Sequence, residues 1–388
     1  MKILIAAAAF STEMSGVQRH AFNAALALLL REEVQAVHLV VAPWQQKLTQ
    51  SVASAQDRRL MVHAAAMGSS AIARNAWYYR QLPELARKLR ADVVHLAYPV
   101  PVNARAFPCP VAVTLHDLYP CEIPENFGFP KSLVNRRILR QCLDAVDGIA
   151  CVSETTRERM REYLPTRLDA KAVCIPNCVL PMPKAVRPEA AVPAGEPFLL
   201  CVAQHRRNKN IPLLLRSFAR LVRERQIDAR MRLLIVGIDG PETERVHRVA
   251  AERRLSERVH FLCGLSEAEL HWCYANCEVL VAPSSTEGFG LPVAEGLLAG
   301  CRVVCSEIGA HREIGGEHCR FVDVRGDAEA ALAEAIVTAL QTPRPPAVSF
   351  PQLSLEAVGA QYMRFYRRLI EAKAIESQSG LGVAVRGA

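Results

Sequence analysis

The chain has 388 residues, 51% of them hydrophobic and 22% charged. That length suits two domains at roughly 100–200 residues each, and the composition excludes a disordered or fibrous chain. The formal charge is +8, and residues 1–180 carry 21 Lys+Arg against 15 Asp+Glu while the remainder carries 26 against 24. The excess therefore lies in the first half and favours an anionic partner, whether membrane surface, phosphorylated substrate or nucleic acid.

The first residues, MKILIAAAAF, match a short signal peptide in apolar length but read better as a buried first strand over 2–9 that runs into a loop over 10–16. No run reaches the ~18 apolar residues that a spanning helix needs. Helical spacing follows at Val17, Ala21, Ala24, Ala25 and Leu28. Short apolar runs at 37–42, 92–96, 111–115, 148–152 and 172–175 predict further strands, mostly separated by helical segments. Strands alternating with helices imply a parallel α/β sheet.

Residues 181–197 hold five prolines and a glycine, the composition of a linker. The alternation then restarts, with strands predicted at 198–203, 232–236, 259–262, 279–282 and 303–306 and helices at 211–224, 242–254 and 267–275. We thus expect a first domain over 1–180, a linker over 181–197 and a second domain over 198–350. A helix within 351–375, with the apolar stripe Leu355, Val358, Tyr362, Phe365 and Leu369, is expected to pack back on the first domain. A frayed tail over 376–388 completes the expectation.

Thirteen cysteines are an odd number, evenly scattered and without any C-x-x-C, so they form no disulfide framework. They read as small core residues in a reducing cytoplasm. His271, Cys273 and Cys277 fit no defensible zinc spacing, and no metal site is expected.

The stretch PSSTEGFGLPVAEGLLAG, residues 283–300, sets Glu287 and Glu295 eight positions apart. It is too glycine-rich to be helical at its start. Pro292 suits a first helical position and Gly300 the residue just past a helix end, so Glu287 is expected in a loop and Glu295 in the first turn of a helix over 292–299. Eight residues on one helix span ~12 Å, whereas the paired carboxylates of sugar hydrolysis stand ~5–9.5 Å apart. This spacing suits two contacts on one elongated ligand. The amides of Phe289, Gly290 and Leu291 would open the helix toward an anion or hydroxyl oxygen.

This stretch resembles the E-x7-E signature of the retaining glycosyltransferases of family 4, which have the GT-B fold. Ser15-Gly16-Val17, His116-Asp117, Val152-Ser153-Glu154, Ile175-Pro176-Asn177, Lys209-Asn210 and residues 309–313 fall in that family's order, so the likeness spans most of the chain. It implies an α/β chain of GT-B type, two Rossmann-like doubly wound domains facing a cleft. It also implies a retaining, metal-independent hexosyltransferase that moves a sugar from a nucleotide-diphosphate donor to a saccharide or lipid-linked acceptor. The setting would be bacterial cell-surface polysaccharide or glycolipid synthesis.

Carried over residue by residue, Arg206 and Lys209 match the diphosphate-binding pair, Glu287 the residue facing the donor sugar, Glu295 the one that grips the ribose hydroxyls, and His116 a histidine near the reacting centre. Gly16, through its amide, would touch the diphosphate from the first half. Ala203-Gln204 stands where the family more often has a glycine-arginine start, which leaves open whether Arg206 or Arg207 makes the contact. No cofactor beyond the donor substrate is implied. Alternatives on the same architecture are a nucleotide-sugar epimerase and a nonenzymatic sugar-binding subunit. A nucleic-acid partner explains the charge but not the acidic turn.

Residues 131–140, KSLVNRRILR, interleave Lys131, Arg136, Arg137 and Arg140 with Leu133, Val134, Ile138 and Leu139. As a helix they read either as a solvated face or as a surface for anionic lipid. The expected partners are therefore the nucleotide sugar, the acceptor and an anionic membrane surface, with the enzyme cytoplasmic and peripheral on the inner face of the membrane.

Overall fold

The computed structural model describes residues 1–9, 15–46, 57–189, 192–193 and 195–384. Most of the loop expected over 10–16, three positions of the 181–197 linker and the last four residues of the tail lie outside the described residues. The chain divides into two compact units, Met1–Cys178 with Pro351–Ala388, and Val179–Phe350.

Among the described residues, the first unit is built on seven strands: β1 (Lys2–Ala6), β2 (Ala36–Val41), β3 (Leu60–Ala64), β4 (Val93–Leu96), β5 (Val111–Leu115), β6 (Gly148–Cys151) and β7 (Ala172–Cys174). They run parallel in the order β3-β2-β1-β4-β5-β6-β7. Parallel strands covered on both faces read as unbroken apolar runs, and β1 shows why: Leu4 and Ala6 enter one core, Ile3 and Ile5 the other. The helix Gly16–Leu29 covers one face. It starts at Ser15, whose hydroxyl accepts from the Gln18 amide while Gln18 Oε1 accepts from the Ser15 amide, a reciprocal cap for two orphan donors.

The C-terminal helix Leu355–Ala384 belongs to this first unit and lies against Gly16–Leu29. Gly359 allows the approach, since a Cβ there would stand 2.3 Å from the Ala27 carbonyl oxygen. The helix continues to Ala384, so residues 376–384 of the tail expected to be frayed are helical, beyond the end of the apolar stripe at Leu369.

Among the described residues, the second unit holds six parallel strands: β8 (Phe198–Val202), β9 (Arg232–Val236), β10 (Val259–Leu262), β11 (Val279–Ala282), β12 (Val303–Ser306) and β13 (Cys319–Val322). Their order is β10-β9-β8-β11-β12-β13. Leu199, Cys201, Leu233, Ile235, Val279 and Val281 meet Leu214, Phe218 and Ile336 of the flanking helices in one core. Both units are thus Rossmann-like and doubly wound. In each, strand order reverses beside the first strand, between β1 and β4 and between β8 and β11. In such sheets ligands gather at the carboxyl ends of the strands flanking that reversal.

Candidate functional site

In the second unit, two loops leave the switch point side by side, because β8 and β11 are hydrogen-bonded neighbours. The loop after β8 tightens into a single turn, Arg207–Lys209. Asn210, at φ 52°, then opens the helix Ile211–Arg223, with Pro212 in its first turn. The loop after β11 is strapped to it. The Ser285 amide donates to the Asn208 carbonyl at 2.7 Å, and the buried Asn208 side chain donates to the Thr286 carbonyl at 3.3 Å.

Gly290 ends the second loop at φ 92° and caps the helix Leu291–Leu298. Left-handed backbone is open to glycine at little cost, and a Cβ here would also stand 3.0 Å from the His311 ring. Phe289 is buried, while the helix that follows begins at Leu291. Glu295 is its fifth residue and so lies in the second turn, not the first as the spacing of Pro292 suggested. Gly290 itself takes the cap, which moves the helix start one residue earlier.

Lys209 Nζ meets Glu287 Oε1 at 2.5 Å, with side chains only 17% and 10% exposed. Ser284 donates its hydroxyl to the same oxygen at 2.7 Å. Burial pushes the Glu287 carboxyl up, but Lys209, His311 and Ser284 outweigh it and hold the group below the ordinary carboxylate range. A buried carboxylate kept charged in this way is a poor proton donor and a strong electrostatic partner.

His311 stands behind the pair. Its Nδ1 lies 3.1 Å from the Ser306 carbonyl, so that nitrogen carries the proton, and Ser306 in turn donates its hydroxyl to the Ser284 carbonyl. Burial pushes the imidazole below its ordinary range, with Glu287 opposing. The sequence pattern pointed to residues 309–313 without singling out His311, whose position emerges only when the Gly309–Gly315 helix is packed behind Gly290.

Glu295 accepts from the hydroxyl of the fully buried Tyr274 at 2.7 Å. Tyr274 was not foreseen either, because it comes from another helix, Glu267–Asn276. Arg206 is half-buried and donates Nε–H to Gln204 Oε1 at 2.8 Å, whereas Arg207 is exposed. Thus Arg206, Lys209, Glu287 and Asn208 stand on two interlocked loops, and Glu295 on the helix that continues the second.

His116 and Gly16 belong to the first unit. His116 follows β5, and its Nε2 lies 2.9 Å from the Ala97 carbonyl, which makes Nε2 the protonated nitrogen. Burial pushes its imidazole down to about 4, so it is neutral at physiological pH. Gly16 is the exposed first residue of its helix, with open space where a Cβ would stand. As for the cysteines, Cys273 and Cys277 are buried, His271 turns to the Pro183 carbonyl, and among the described residues no three His, Cys, Asp or Glu side chains converge as a metal site would require.

Two family models match the chain: Glycosyltransferase Family 4 over residues 14–181, and Glycosyl transferases group 1 over residues 184–348. The chain belongs to the family 4-like glycosyltransferases. Alpha-monoglucosyldiacylglycerol synthase of Streptococcus pneumoniae is 24% identical over 238 residues, covering 57% of this chain and 53% of that protein. The chain spans about half the length of that relative and of the next two it matches, 50% and 55%. Among solved structures, sucrose-phosphate synthase from Thermosynechococcus elongatus superposes with a TM-score of 0.68 at 18% identity, covering 96% of this chain and 99% of the other. Anabaena Alr3699/HepE in complex with UDP-glucose gives 0.62 at 16% identity, covering 98% and 100%. At those identities the superpositions establish the fold.

Proposed function

We propose that this glycosyltransferase moves a sugar from a nucleotide-diphosphate donor to a saccharide or lipid-linked acceptor, with retention and without a metal ion. The observation that carries the reading is the buried Lys209–Glu287 pair at the switch point of the second sheet. Breaking a sugar–phosphate bond builds negative charge on the departing diphosphate and positive charge on the sugar. Fixed groups of opposite sign, aimed in advance, lower that barrier most. In this reading Arg206 and Lys209 receive the diphosphate in the role a cation would otherwise fill. Glu287 faces the sugar, and Glu295, held by Tyr274, accepts from the ribose hydroxyls. The amides of Phe289, Gly290 and Leu291 open the Leu291–Leu298 helix toward the ligand. His116 is the residue of the first unit assigned to the reaction.

The donor class agrees with the UDP-glucose bound by the Anabaena neighbour, and a lipid-linked acceptor agrees with the name of the pneumococcal relative. The reading also places the enzyme in cell-surface glycolipid or polysaccharide synthesis, peripheral on the cytoplasmic side of a membrane. Phe129, Leu133 and Val134 are 85%, 50% and 51% exposed around the helix Lys131–Ala145. Leu133, Arg136, Arg137 and Arg140 line one groove there. Among the described residues, no carboxylate pairs with Lys131, Arg136, Arg137 or Arg140. Apolar side chains interleaved with unpaired cations suit an anionic lipid surface.

Thermal shift against UDP, GDP and ADP in the presence of EDTA tests the donor assignment, since a ligand of the folded state raises the melting temperature. One nucleotide should do so clearly. Incubating the matching nucleotide sugar without acceptor then separates transfer from epimerisation, because only an epimerase would convert the donor.

A further inference from the structure

We infer that His20 and Tyr362 are positioning residues for His116, so that the C-terminal helix sets the geometry of a reacting group in the first unit. The inference rests on the assignment of His116 to sugar transfer.

Among the described residues, the His116 ring makes one hydrogen bond, to the Ala97 carbonyl, and one ring contact, edge-on to His20 with centroids 4.7 Å apart. Its orientation therefore depends on how firmly His20 is held. Three groups from three different segments hold His20. Asn177 Oδ1 lies 2.6 Å from Nδ1, while the Thr114 and Tyr362 hydroxyls each lie 3.1 Å from Nε2.

Valence fixes the His20 tautomer. An amide oxygen only accepts, so His20 Nδ1 carries the hydrogen and Nε2 is the acceptor. The Thr114 and Tyr362 hydroxyls converge on that one lone pair and also touch each other, while Thr114 Oγ1 lies 2.7 Å from His95 Nε2. His95 Nδ1 lies 2.9 Å from the Tyr366 hydroxyl. Every member is paired and every imidazole neutral. Burial, the first cause in each case, pushes His20 well below and His95 to about 3. A fully satisfied buried network is rigid. Tyr362 is the member that reaches His20 from the C-terminal helix; Tyr366, one turn on, ends on His95, which has no ring contact with His116 among the described residues.

The two tyrosines give an internal control. Tyr362→Phe and Tyr366→Phe each remove one buried hydroxyl from the same helix and keep the ring. In the full-length enzyme, Tyr362→Phe should lower kcat for sugar transfer by about fivefold while nucleotide Kd stays within about twofold, the pattern of an interaction used only in the transition state. Tyr366→Phe should lower the melting temperature and leave kcat within about twofold. In a His116→Ala background, Tyr362→Phe should cost nothing more, since coupled residues are not additive. The His116 imidazole resonance should shift in Tyr362→Phe and hold still in Tyr366→Phe. Equal kcat losses for both tyrosines, or an undiminished loss in the His116→Ala background, would overturn the inference. Full activity of His116→Ala would instead overturn the assignment on which it rests.

Discussion

Lys209 and Glu287 stand 78 positions apart in the sequence, yet their charged atoms meet at 2.5 Å where neighbouring strands end. Neither loop would hold its charge alone. Burial pushes the Glu287 carboxyl up, and Lys209, from the neighbouring loop, is the first of the groups that hold it down.

Breaking this pair from one side should therefore be costly. Lys209→Met leaves Glu287 buried with Ser284 and His311 and should destabilise the fold by about 3 kcal/mol in urea titration. Adding Glu287→Gln should recover part of that loss, because the stranded charge is then gone. The folded-state carboxyl of Glu287 lies below its ordinary range, so the unfolded chain binds the proton more tightly. Its contribution is complete above the ordinary carboxylate range and is lost as pH falls through the depressed value. In Lys209→Met the main opposing cation is gone, so this loss on acidification should shrink.

The Tyr274–Glu295 hydrogen bond predicts a binding effect separable from folding. Tyr274→Phe keeps the buried ring and removes one hydrogen bond from the carboxylate that the ribose reading requires. Nucleotide diphosphate should bind about fivefold more weakly by calorimetry, the worth of one hydrogen bond that orients the carboxylate, about 1 kcal/mol.

The histidine network makes the protein sensitive to mild acid. His20 and His95 are buried and pushed well below their ordinary value, His95 to about 3. As pH drops below ~6.5 the unfolded chain takes up protons that these folded histidines refuse. Stability is thus complete above ~6.5 and falls as the solution is acidified, by roughly 1.4 kcal/mol per pH unit for each histidine. Urea midpoints measured from pH 7 to pH 5 should show this slope, and His95→Phe should flatten it.

The basic helix makes a salt-dependent prediction. Vesicles rich in phosphatidylglycerol should carry the protein upward in flotation at low salt, and neutral vesicles should not. Replacing Arg136, Arg137 and Arg140 together by Gln should abolish flotation. Phe129→Ser with Leu133→Ser should weaken it at all salt concentrations, because that loss is hydrophobic.

The fold was legible wherever a strand forms a short apolar run. β5, β9, β10, β11 and β12 fall where the apolar runs put them, and the proline-rich break sits near the start of the second unit at Val179. The two strands that escaped notice, β3 and β13, lie at sheet edges and are largely half-buried, though so is β10, which was found. Chain position also hid the helix Glu329–Gln341, whose alanine-rich sequence carries a weak stripe. The glutamates and the cationic loop were visible because each is a contiguous motif. Tyr274, His311 and Asn208 complete the second-unit site through side chains far away in sequence or behind the loop. The first-unit network joins residues up to 342 positions apart, beyond the reach of any local pattern.

The central claim is that the loops after β8 and β11 receive the nucleotide end of the donor. A crystal structure of this chain with the nucleoside diphosphate that most raises its melting temperature tests it most directly. The account predicts phosphate density against Arg206 and Lys209, with the ribose hydroxyls on Glu295. A diphosphate bound elsewhere on the molecule, with Lys209 still paired to Glu287 and Glu295 untouched, would contradict it.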